Sequence, residues 1–127
     1  MAAAVMSEEN MLRIISHPDC MFGSDGNALP PDERFGRPHP RSFGGAARFA
    51  RLLLDTGISI PELCYKLSGA AAEFFSLPQT GRLQTDFRAD ITVFSPEEID
   101  SAADFASPCT PASGIKAVIA DGILHHF

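Results

Sequence analysis

Two short constellations in this sequence carry groups able to do chemistry. Ser24-Asp25-Gly26 places a carboxylate just after the apolar run Cys20-Met21-Phe22 and Gly23, a run that reads as a short buried strand leading into a turn. Open α/β sheets and barrels collect ligands and catalytic groups at the C-terminal lip of their strands, so an acid there serves as a proton shuttle or a metal ligand. Asp-Gly is also among the commonest of turn dipeptides, and a plain surface turn stands beside that reading. The second constellation, His39-Pro40-Arg41, closes a proline-rich stretch. Arginine offers a rigid two-pronged donor suited to carboxylates, and the prolines restrict the loop presenting it, reducing the entropy lost when a substrate is engaged. Here the alternative is a solvated surface arginine.

The remaining ligand types are scattered. His17 precedes a proline at an expected helix end, and His125 with His126 stands at the extreme C-terminus, where a frayed end or tag remnant is expected. There is no His-x-His, no His-x-x-x-His and no Cys/His cluster, so none of the standard metal spacings occurs. No glycine-rich phosphate loop is present either. Cys20, Cys64 and Cys109 are odd in number, far apart and outside any C-x-x-C pattern, which predicts free thiols packed as small residues in a reducing cytoplasm.

Elements able to position these groups can be read around them. Ser7 caps a short helix with Glu8 and Glu9 in its first turn and Met11, Leu12, Ile14 and Ile15 on its apolar side, ending near His17-Pro18. The stretch Asn27 to Ser42, with Pro30, Pro31, Pro38, Pro40 and Gly36, is a long irregular loop, a feature usually functional or disordered. Ala46, Phe49, Ala50 and Leu53 then form the stripe of an amphipathic helix that stops at Gly57. Ser59 and Glu62 make a capping box stapled by Ile58 and Leu63, and a third helical piece covers about Gly69 to Leu77 before Pro78. After Gly81 the period changes. Ala89, Ile91 and Val93 alternate with Asp90, Thr92 and Phe94 as a strand; Ser95, Pro96 and Glu98 cap a short turn; Asp121-Gly122 joins two strands as a hairpin.

Composition bounds the possibilities. A chain of 127 residues, 45% hydrophobic and 20% charged, is a single globular domain, about half the ~250 residues of a closed eight-fold β/α barrel. No apolar run approaches the ~18 residues of a membrane span, and the start lacks a signal peptide's basic flank and long apolar stretch, so neither membrane nor secretion is expected. The net charge is -6, unevenly placed: five arginines and no acid lie from Arg34 to Arg51. An acidic chain without Trp or a recognition motif is nonetheless a poor nucleic-acid binder.

Taken in order, Phe22-Gly-Ser-Asp-Gly26, His39-Pro-Arg-Ser-Phe-Gly44, two helices, Gly81-Arg-Leu83, Ala89-Asp-Ile-Thr-Val-Phe94 and Val118-Ile-Ala-Asp-Gly122 resemble the C-terminal portion of the N-acyl-D-amino-acid deacylases (D-aminoacylases) of the amidohydrolase superfamily. The resemblance runs from about Glu8 to Leu124. It implies an α/β fold, α+β when isolated: residues 1–80 supply the last strand, substrate loop and helices of an incomplete (β/α)8 barrel, and 81–127 belong to a small β-subdomain. It implies that Asp25 is the strand-eight aspartate that takes a proton from metal-activated water, passes it to the leaving amine and approaches the metal. Arg41 would grip the substrate's α-carboxylate, with His39 shaping the loop beside it. The family's His-x-His and further metal ligands have no counterpart here. The resemblance therefore implies zinc in the complete enzyme and none on this chain alone. The resulting expectation is a fragment hydrolysing N-acyl-D-amino acids only with the missing barrel. The alternative is a non-catalytic remnant that binds itself or a partner.

Overall fold

The computed structural model describes residues 6–30 and 36–125; Pro31 and Arg34 of the loop, and His126, lie outside them. Among the described residues, four α-helices, α1 (Glu8–Ile15), α2 (Arg41–Asp55), α3 (Ile60–Cys64) and α4 (Ala70–Phe74), precede three strands, β1 (Ile91–Phe94), β2 (Ile115–Ala120) and β3 (Ile123–His125), with a π-helical turn over Tyr65–Gly69 joining α3 to α4. The strands form one antiparallel sheet in the order β1-β2-β3.

Local signals placed most of these elements. Ser7 accepts the Asn10 N–H at 3.2 Å and caps α1, and Ser59 accepts the Glu62 N–H at 3.3 Å while Leu63 is buried beside Ile58. Asp121 and Gly122 both take positive φ, 50° and 78°, as a two-residue type I′ hairpin needs. The turn is tied to the start of β1, where Asp90 Oδ1 accepts the Asp121 N–H at 2.7 Å.

Several expectations are corrected. Cys20-Met21-Phe22 is not a strand: a strand exists only as a paired ladder, and the Phe22 N–H goes instead to the carbonyl of Lys66 at 2.9 Å. Helix α2 begins at Arg41, ahead of the apolar stripe, and Ala46 is exposed while Ala47 is buried. The two later helical pieces form one run, because the π turn continues α3 into α4. In β1 the simple alternation fails. A register shift between Val93 and Phe94 leaves Val93 exposed and turns Phe94 toward the core. The Ser95–Glu98 capping box does not form: Ser95 Oγ donates to Glu97 Oε2 at 3.0 Å, the Ser95 N–H goes to the Gly114 carbonyl at 2.9 Å, and the Glu98 carboxylate pairs with Lys116. The Glu97 carboxyl lies below the usual carboxylate range, held there first by a backbone hydrogen bond and then by Ser95. Cys64 is exposed, not packed, and His125 lies in β3 opposite Val118.

The core joins helices to sheet. Ala47, Phe49, Ala50 and Leu53 of α2 pack with Leu63 and Ile99, and Phe94, Ala112 and Ile115 close over them, so residues 1–80 and 81–127 share one cluster. Leu53 is fully buried at its centre. Leu53→Ala is expected to cost about 3 kcal/mol of unfolding free energy, measured by denaturant titration; a loss under about 1 kcal/mol would mean the centre of packing lies elsewhere.

Arginine side chains tie α2 and the loop before it to the segment after β1. Arg48 bonds Asp100 at 3.2 Å, Arg51 reaches the Pro96 carbonyl at 3.0 Å, and Arg37 reaches that of Ala106 at 2.9 Å. Arg37, Arg48 and Arg51 are thereby tied to the segment after β1. Leu83, Phe74 and Phe75 stand 82%, 71% and 64% exposed. No helix among the described residues is long and apolar enough to cross a membrane.

Candidate active site

The Ser24-Asp25-Gly26 motif builds a turn by local chemistry. Ser24 Oγ accepts the Gly26 N–H at 3.0 Å, and Asp25 takes φ 49°, a left-handed conformation that Asp tolerates better than most residues. Gly26 is required by contact: a Cβ there would meet the Ser42 Cα at 2.9 Å. Ser42 Oγ also accepts the Asn27 N–H at 3.2 Å, so the turn lies against the start of α2.

That start presents Arg41. The Pro40 carbonyl accepts from Gly44 at 3.0 Å, and His39 Nδ1 accepts the Arg41 N–H at 3.2 Å, using a side-chain ring where α2 has no hydroxyl or carboxylate cap. The His39 ring stands edge-on to Phe105 with centroids 5.0 Å apart. Gly44 lets α2 approach the segment after β1, since a Cβ there would fall 1.8 Å from Ser101 Oγ.

Turn and helix bring two expected site residues together. Arg41 Nη2 lies 2.9 Å from Asp25 Oδ2, with the side chains 44% and 85% exposed. Arg41 therefore heads a helix instead of ending a loop, and Asp25 sits on an irregular segment instead of a strand lip. His39 holds the backbone that carries Arg41. Beside the pair runs a groove of about 580 Å³, lined by Met11, Phe22, Ser24, His39, Arg41 and Phe49 among others. With Arg48 bonded to Asp100, the groove combines an apolar floor with the Arg41 guanidinium. Such a surface suits a small molecule bearing a carboxylate and an apolar body.

Sequence reasoning missed Lys66. Its side chain is 1% exposed, and its ammonium donates to the carbonyls of Cys20, at 3.1 Å, and His17. The available signal was spacing: Lys66 stands three residues after the buried Leu63, on the helix face that should be apolar.

Among known proteins, the chain is 36% identical over 120 residues to a D-aminoacylase from Alcaligenes xylosoxydans xylosoxydans, and 31% identical over 120 residues to an N-acyl-D-aspartate deacylase of the same organism. Each alignment covers 93% of this chain. Its relatives include N-acyl-D-amino-acid deacylases. The crystal structure of N-acyl-D-glutamate deacylase from Bordetella bronchiseptica, complexed with zinc and a phosphonate inhibitor, superposes with a TM-score of 0.80 at 34% identity over 94% of this chain. No family model matches. The chain spans 24% of the length of the D-aminoacylase and 23% of that of the N-acyl-D-aspartate deacylase. Among the described residues, no three His, Cys, Asp or Glu side chains are grouped to hold a metal ion, and Asp25 is engaged by Arg41. The described part of this deacylase relative does not fit a zinc ion by itself.

Proposed function

We propose that this chain supplies the substrate-gripping and proton-carrying part of an N-acyl-D-amino-acid amide hydrolase and is inactive without the rest of that enzyme. Its residues 1–80 form one side of the hydrolase barrel, and 81–127 part of a small β-subdomain. One observation carries the reading: in a chain homologous to deacylases, Asp25 and Arg41, distant in sequence, meet at 2.9 Å beside the groove. Arg41 binds the substrate's α-carboxylate through its forked donors, replacing Asp25 as the guanidinium's partner. Asp25, released, takes a proton from the attacking water and hands it to the departing amine. Water is excluded from the apolar floor of the groove as the substrate enters. Zinc, held by the solved Bordetella enzyme, would have to be bound by residues other than the described ones of this chain. The exposed apolar side chains of Leu83, Phe74 and Phe75 suit coverage by the remainder of such an enzyme.

The test is a chimera in which this chain replaces the matched segment of the Alcaligenes D-aminoacylase. Zinc-dependent release of a D-amino acid from an N-acetyl-D-amino acid is expected from the chimera and none from the 127-residue chain alone. A folded, zinc-loaded chimera without turnover would overturn the reading. A chain that then proves oligomeric by light scattering would favour a self-associating module.

A further inference from the structure

Lys66 is a charged side chain placed where an apolar one would pack, and both bonds of its ammonium run to one segment. The carbonyls of His17 and Cys20 take its ammonium, and the amide of Phe22 donates to its own carbonyl at 2.9 Å. The three residues so held belong to the irregular stretch between α1 and Asp25, which has no sheet ladder to satisfy its backbone. A methionine would fill much the same volume without burying a charge, so the donor itself is what the site uses.

The π turn makes the second half of this clamp available. In a regular α-helix the Ala70 N–H would bond to the Lys66 carbonyl. Here it reaches one residue further back, to the carbonyl of Tyr65, and the Lys66 oxygen is left for Phe22. The Phe22 ring in turn packs on Phe49 with centroids 5.1 Å apart. Asp25 follows Phe22 by three residues, a span of at most about 10 Å. Its carboxylate is fixed on the far side by Arg41.

We infer that Lys66 is a positioning residue for Asp25, clamping His17, Cys20 and Phe22 so that the Ser24-Asp25-Gly26 turn meets the head of α2. The catalytic importance of this position rests on the proposed function; the clamp itself does not. NMR of the full 127-residue chain separates the two. Asp25→Asn should shift the Arg41 Nε–Hε resonance in the unsubstituted chain. In a Lys66→Met background that response should disappear while the methyl resonances of Leu53 and Leu63 stay in place, and Lys66→Arg should restore it. An undiminished response in a folded Lys66→Met chain, or no response in either background, overturns the inference.

Should Lys66→Met fail to fold, the unsubstituted chain provides the second measurement. It has two lysines, and Lys116 is exposed. Amine acylation of Lys66 relative to Lys116, and amide exchange of Phe22 relative to an unprotected amide, should both be slowed by at least about tenfold and by similar factors, because one opening exposes both. A freely exchanging Phe22 amide beside a slowly acylated Lys66 would overturn the clamp. An inactive chimera with the spectral coupling intact would count against the deacylase reading alone.

Discussion

Asp25→Asn in the D-aminoacylase chimera is expected to lower kcat by about 10²–10⁴-fold, the range for losing a general acid–base group, with little change in KM. The substitution is close to isosteric, and Asn tolerates the left-handed φ of 49° at this position. The Arg41 ion pair it weakens is largely solvated, the side chains being 44% and 85% exposed. Such pairs contribute about 1 kcal/mol at most, so unfolding free energy should barely move. A large kinetic loss with a small stability change is the signature of a group that acts on substrate. Retention of kcat within about fivefold would remove Asp25 from the proton path.

Arg41→Met should act on binding instead. A hydrogen bond to a charged group contributes about 1.5–3 kcal/mol, so kcat/KM for an N-acyl-D-amino acid is expected to fall roughly 10–150-fold, chiefly through KM. Arg41→Lys keeps the charge and loses the planar fork, which predicts an intermediate value. The control is a substrate whose α-carboxylate is replaced by a carboxamide. It should be poor for the parent chimera and indifferent to Arg41→Met. Equal losses on both substrates would show that Arg41 supports the head of α2 without touching the carboxylate. His39, whose Nδ1 accepts the Arg41 N–H, is the residue through which such a structural effect would run.

These expectations depend on contacts that differ in how far the sequence displays them. The turn around Asp25 is local: Ser24, Asp25 and Gly26 provide the hydroxyl acceptor, the left-handed residue and the side-chain-free contact within three positions. The arginine that meets it is not local. Its approach requires α2 to begin at Arg41 and the Asn27–Ser42 bond to close the loop between them. Nor is the partner of the basic run legible in order. Arg37, Arg48 and Arg51 find Ala106, Asp100 and Pro96 only because α2 packs beside the segment that follows β1.

The same division holds for the whole chain. Serine caps at Ser7 and Ser59, the Ile58–Leu63 staple, the α2 stripe from Phe49 to Leu53 and the Asp121-Gly122 hairpin are properties of the sequence itself. Each is set by bonds or contacts within a turn or two of backbone. Tertiary structure alone decided that Cys20-Met21-Phe22 joins no sheet, that Val93 turns out and Phe94 in, that Lys66 is buried and that Asp25 faces Arg41. A strand needs a distant ladder, and burial needs a distant surface. Neither the partner nor its distance is encoded in the neighbouring residues.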